Sequence, residues 1–530
     1  MNLKFLLCFI LLSQNLVNLN STYDYTNYNA ISTNTELSKQ TLSSTTADQS
    51  VVYITQSGIS IVNSKINKES GDSSNIENSE FYGVNAAVLV NGGELTMTGG
   101  TVTTAAQGAN SLCATNGGKV SITDTEIIST SQSSARGLHA TYGGEITANN
   151  VKISSTGGSC ANLATDRGEG TVTCTGCTLS TAGAGSPLIY STGDITVSGT
   201  TGTSTGAQAV VVEGKNSASV LDSSNLNCYG LPNAENSIDI CGVMLYQSMS
   251  GDADSGTSTF TCKESTITID EKSSVYGDAP MFFITNTDAE INLESCTLTY
   301  GSNIFLSAAG TSKWGTSGSN GGVVTLNLKN QNVVGNFVID ANSGITINLE
   351  NSSINGIING DGAGAKVAIV LDESSSITLN GNSYYTSLQN AKADGTNIIK
   401  GEYSFEEYSE NTISRPSSGQ GGSNNQPTPP SGSNNQPTPP SGSNNPPTPP
   451  SGSNNPPTPP SGSNNPPTPP SGSNNPPTPP SGSNTKSTQS NDDADDADDD
   501  DDEEEEDGAM KFSCSILLNL CLILSLILWL

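Results

Sequence analysis

The chain of 530 residues has a single histidine, His139, and three arginines, Arg136, Arg167 and Arg415. That scarcity leaves little of the acid–base equipment common in hydrolases. It also leaves no cationic surface of the kind that a phosphate backbone requires, so nucleic acid is excluded as a partner. Aromatic residues make up 5% and apolar residues 33% of the chain, low for a broad globular core of this size. Signals for helices are nearly absent. Long apolar runs occur only near the two ends, at Phe5 to Leu12 and Ile516 to Leu530. Positive charge is outweighed to a net −32, which disfavours gripping an acidic polysaccharide by charge.

Repetition takes the place of these missing features. Gly117-Gly118-Lys119-Val120-Ser121-Ile122-Thr123-Asp124-Thr125-Glu126-Ile127 reads as a turn, a short strand with Val120 and Ile122 on one face, a polar corner, and an apolar return at Ile127. The same phrase recurs around Leu95, Ile146, Val172 and Ile195, at spacings of 25, 26, 26 and 23 residues, and Ile347 to Ile369 is 22. Two octets, Ile291 to Leu298 and Ile347 to Ile354, both begin Ile-Asn-Leu-Glu and match at four of eight positions. A period in this range, with alternation of two inside each copy, marks a solenoid. Each copy is too short and polar to bury its own face, so stacking must build the core. Between copies lie second apolar runs, such as Ala87 to Val90, Val210 to Val212 and Met281 to Ile284, giving at least two strands per coil.

This pattern resembles the right-handed parallel β-helix repeat (pectate-lyase-like) superfamily, which includes pectate lyases, polymorphic surface proteins and adhesin-like passengers. The resemblance covers roughly residues 50 to 400. It implies an all-β fold, a single-stranded right-handed parallel β-helix of about twelve coils, followed by a disordered Pro-rich stalk and an acidic tract. It does not carry over an active site. The lyase branch implies clustered acidic Ca²⁺ ligands with a basic residue, and the polygalacturonase branch implies His-Gly and Arg-x-Lys elements. This chain has no Arg-x-Lys, and its one histidine is followed by Ala140.

Residues 1–20 are a secretory leader, and 21–50 a polar lead-in or N-terminal cap. Residues 51–380 are the β-helix, and 381–415, with Tyr384, Tyr385, Tyr403, Phe405 and Tyr408, are a C-terminal cap. Residues 416–490 hold six decapeptides built from Ser, Asn, Gln, Thr, Gly and Pro, which read as a semi-extended stalk. Fourteen acids crowd the tract at 491–507. Residues 508–530 read as a GPI-attachment signal with Asp507 or Gly508 as the attachment site, or alternatively as a membrane-spanning tail. Leader and anchor together imply the extracellular face of a plasma membrane.

Eight cysteines lie between leader and tail: Cys113, Cys160, Cys174, Cys177, Cys228, Cys241, Cys262 and Cys296. An even number behind a leader suggests disulfides, whose pairing is open among 105 possibilities. Cys174 and Cys262 align with Ile122 and so could instead be buried free thiols. Asn351-Ser352-Ser353 is a glycosylation sequon.

Candidate ligand-binding residues are few. Leu138 and Ala140 align inward and His139 outward, with Arg136 nearby and Asp166-Arg167 about one coil away, a patch whose default is a solvated face. The longer gaps after Ile59, between Leu226 and Phe260 and between Leu298 and Leu326 must project as loops, where recognition commonly resides. Two of them stand out: Cys228 to Cys241, and Gly310 to Gly322 around Trp314. Trp314 suits ligand stacking and equally suits packing on the rod. Asp252 to Gly256 begins like a Ca²⁺ loop but has Lys263 where an acid belongs, and reads as a turn. No cofactor or metal is expected and no oligomeric state is assigned. The expected function is adhesion or recognition of a glycan or protein ligand, with a structural coat as the alternative and a tethered polysaccharide lyase or hydrolase as a third.

Overall fold

Val120 and Ile122 are buried while Lys119 and Ser121 face outward, and every copy of the phrase repeats that alternation. The computed structural model describes residues 23, 25, 28–31, 35–232 and 239–413. The leader, stalk, acidic tract and C-terminal tail, with Asp507 and Gly508, lie outside the described residues. Strands pair in parallel with the equivalent strand of the next coil and build three long sheets. Sheet A has twelve strands, sheet B fourteen and sheet C ten, and a four-stranded sheet continues on the third side. The result is a parallel β-helix. Twelve strands of sheet B fall within 51–380, and one more lies at each end, Glu36–Ser38 and Ser387–Gln389. The segment read as a lead-in or cap therefore contributes strands from Tyr28–Ile31 onward.

In sheet B the register carries the repeat from coil to coil without slippage, whereas sheet A has a shift at Ile304–Leu306. The residues that mark the sequence period are direct partners: Leu95 with Val120, Val120 with Ile146, Ile146 with Val172, Val172 with Ile195. A one-residue slip would turn each such column to solvent, so the narrow apolar core holds the register. Four phenylalanines stack in that core across successive coils, with ring centroids 5.8 Å apart for Phe260–Phe282, 5.3 Å for Phe282–Phe305 and 5.1 Å for Phe305–Phe337. Such tilted contacts add to the area that each ring buries.

Between sheet B and the third side most coils turn through one residue at positive φ, Asn63, Asp124, Asn150, Glu264, Ser295, Asn330 and Asn351 among them, and two turn through a pair, Gly99-Gly100 and Asp222-Ser223. Asn and Asp tolerate this region better than other side-chain-bearing residues. The next residue points inward, and where it carries a hydroxyl that group is bonded to main chain, as Thr125 is to the Thr123 carbonyl at 3.0 Å. Cys177 and Cys296 occupy this corner position. Cys177 bonds Cys174 of its own coil, and Cys296 bonds Cys262 of the coil before. Cys174 and Cys262 are thus paired, not free thiols. The other four candidates, Cys113, Cys160, Cys228 and Cys241, are buried and reduced. Cys228 packs in the main core and Cys241 in an outer cluster, so the two point into different interiors.

The outer face of sheet A is not a solvent face over most of its length, and opens at its last strand, where Val338 is exposed. A helix, α1 (Ile76–Tyr82), lies across its N-terminal half, capped by Asn75, whose side chain accepts from the Glu77 amide at 2.9 Å. Gly83 closes the helix at φ 71°, and a Cβ there would collide with Cys113 Sγ, so the close approach to the sheet needs glycine. The gaps therefore do not simply project. The segment after Ile66 folds back as α1, and the loops around Asp252 and Trp314 cover the later coils.

Candidate functional site

Sheet A's outer face carries the column Leu89, Cys113, His139, Ala164, Tyr190, Val211, with each member paired to the next. Beside it runs a second column that includes Asp166, Glu213 and Tyr246. The alignment that turned His139 away from the coil core holds, because Leu138 and Ala140 belong to the core and His139 does not. The solvated face does not hold: His139 is 0% exposed under the cover that includes α1.

Three of the four candidate binding residues meet here. Arg136 donates to Glu80 of α1 at 2.9 Å and stands 3.6 Å from Asp166. His139 Nε2 is 4.0 Å from Asp166, and neither ring nitrogen has a protein hydrogen-bond partner. Burial pushes the Asp166 carboxyl up to about 8, against the pull of Arg136. Burial, then the Arg136 charge, hold His139 well below its ordinary range. Burial also works against the Arg136 charge, but Glu80 and Asp166 more than offset it. Arg167 lies over the Phe81 ring, 3.8 Å from its centroid, and pairs with Asp252 at 2.8 Å. The stretch that reads as a turn thus supplies a latch.

Trp314 lies elsewhere on the same face. Its ring packs on Tyr246 at 4.9 Å, and its Nε1 donates to Asp239 at 3.2 Å. Lys313 also bonds Asp239 and lies 4.6 Å from the Trp314 ring. The two candidate loops are therefore one joined cover, and Trp314 is a packing residue in it. Beneath, Glu213 accepts from Tyr190 at 2.5 Å, from Tyr246 at 2.8 Å and from Ser248. Burial and the neighbouring Glu213 charge raise both phenols well above their ordinary value.

A groove lies on the outer face of sheet B, on the later coils, and encloses about 650 Å³. Two rows of outward side chains line it. One is Thr261, Asn292, Asn327, Asn348 and Val370; the other is Lys263, Glu294, Lys329, Glu350 and Asp372. Asn327 donates to Asn292 and Asn348 to Asn327, both at 2.8 Å. Glu294 lies 3.4 Å from Lys263 and 3.7 Å from Lys329. At the far end, Asp372 is held down to about 2, first by the Ser375 hydroxyl, with help from the Asn351 and Ser375 amides and the Ser374 hydroxyl. Asn351 is exposed, in the corner beside this end, and its amide donates to Asn330 at 2.8 Å. Reasoning from the sequence did not single out the groove. The signal lay in the matched octets, whose outward Asn292 and Asn348 occupy the same place.

Among the described residues no cluster of His, Cys, Asp and Glu is placed to hold a metal ion, and no helix is long and apolar enough to cross a membrane. The fold and its two outer faces define a parallel β-solenoid with one roofed and one open sheet face. Comparison with protein-family models, with curated proteins and with solved structures gives no match to this chain.

Proposed function

We propose that this protein is a cell-surface recognition rod, a pectate-lyase-like β-helix displayed on the extracellular face of a plasma membrane. The leader directs it outward. The decapeptide stalk and acidic tract lift the β-helix from the membrane, and the C-terminal signal attaches it through a GPI anchor. It acts by adhesion to a glycan or protein ligand. The observation that carries this reading is the contrast between its two faces. The one group of Arg, His and Asp that resembles reactive equipment is sealed under α1, whereas the groove on sheet B is open and lined by paired, balanced polar groups. Such a surface binds and does not activate a nucleophile.

The test is retention of the full chain, displayed on a host cell, by a glycan array and by a panel of other cell surfaces. Saturable, competable retention is the expected result. Absence of retention on both panels would leave a coat role as the better account, and turnover of a polysaccharide would point to an enzyme.

A further inference from the structure

The groove also constrains what it takes. We infer that it binds an unbranched, uncharged, β-linked glycan laid along the rod axis, about one sugar per coil; this rests on the recognition reading above. Direction comes first. Both rows cross five successive strands, so the trough between them runs perpendicular to the strands and parallel to the rod. Its backbone is already spent in sheet pairing on both sides, so a peptide would find no sheet edge to extend. A ligand here is held by side chains alone.

Spacing comes second. Successive coils are ~4.8 Å apart, as paired strands must be. An extended β-1,4-linked glycan repeats at close to the same distance. Each ring can therefore meet an equivalent side chain in the next coil, a match that an extended peptide, with its ~3.3 Å rise per residue, does not make.

Chemistry comes third. The row of Asn292, Asn327 and Asn348 offers primary amides, each with a donor N–H beyond its ladder bond. The ladder fixes their orientation, so no rotamer freedom is lost when hydroxyls dock. The facing row sets two lysines against three carboxylates, and Glu350 and Asp372 end it. In a chain of net charge −32 this near-balance gives no purchase to a polycation, and the acidic end repels a polyanion. No aromatic ring lines the groove, so affinity for one chain is modest and many displayed copies supply avidity.

The experiment uses the full chain displayed on host cells and fluorescent β-1,4-glucan and β-1,4-N-acetylglucosamine oligomers of two to eight sugars, with galacturonate oligomers of equal length. Binding of the uncharged series is expected to rise with length, level off at about five or six sugars, and exceed that of galacturonate. Asn327→Ala with Asn348→Ala should weaken it about tenfold. Val370→Lys, a change at an outward position that leaves the ladder intact, should weaken it similarly and covers the case in which the double variant unfolds. Equal binding by galacturonate, no dependence on length, or indifference to both changes would overturn the inference while leaving recognition elsewhere on the rod intact. If the uncharged oligomers do not bind but other cell surfaces retain the protein, this inference falls alone; if those are silent as well, the recognition reading falls with it.

Discussion

Arg167 and Asp252, 85 residues apart, are joined at 2.8 Å, and the same guanidinium lies 3.8 Å from the centre of the Phe81 ring. One side chain therefore ties the helix that covers the early coils to the loop that covers the later ones. Arg167→Ala removes both contacts at a cost of about 1–2 kcal/mol, with the ion pair discounted for its partial exposure. The expected outcome is faster amide exchange in 76–82 and 247–256 with little change in the coils. Uniform acceleration along the rod would show that the latch is not local.

Asp166 gives the fold a pH dependence of defined sign. Its folded value of about 8 lies above the ordinary carboxylate range, so the folded chain holds this proton more tightly than the unfolded chain does. The stability linked to it is present in full below the ordinary carboxylate value and is lost as pH rises towards 8. Compared with Asp166→Asn, the wild type should lose ground between pH 5 and pH 8, read as urea midpoints. A constant difference would mean that the carboxylate is ionised in the fold.

The two disulfides should differ in worth. Cys262–Cys296 spans 34 residues and Cys174–Cys177 spans 3. By loop-closure entropy the first contributes roughly 4 kcal/mol and the second roughly 2. Paired Cys→Ala variants compared by denaturant midpoint test the order. Alkylation after unfolding without reductant should label Cys113, Cys160, Cys228 and Cys241 and spare the other four of the β-helix.

Phe305 is the third ring of the aromatic stack and is 1% exposed. Phe305→Ala should cost about 3–5 kcal/mol through lost burial and the cavity left behind. Because coils couple mainly to their neighbours, exchange should accelerate most in the adjacent strands, Phe282–Thr285 and Asn336–Ile339.

Much of this was legible in the chain. The markers spaced by 22 to 26 residues are direct strand partners, and the corner between sheets B and C recurs at the polar step of the repeat, as at Asp124 and Asn351. One further signal was present and went unread. Ala87-Val88-Leu89-Val90, Val210-Val211-Val212 and Met281-Phe282-Phe283-Ile284 are continuous apolar runs, and a parallel strand with that pattern is covered on both faces. Leu89, Val211, Met244 and Phe283 are among the outward members of sheet A and are buried in the outer clusters. The helix had its own marks, Asn75 before it, Glu77 in its first turn and Gly83 after it, but seven residues are too few for a periodic signal.

Local periodicity, then, was enough to set the coil, its register and its corners. Those depend on which residues of one short phrase face inward, and every copy repeats the answer. What covers sheet A, which cysteines meet, where Trp314 rests and which outward rows make a groove were settled only in three dimensions. Each depends on residues from different coils: Arg167 with Asp252, Cys262 with Cys296, Trp314 with Asp239, and Asn292 with Asn327 and Asn348. Contacts at such separations follow from the stacking of coils and the return paths of loops, which no single repeat encodes.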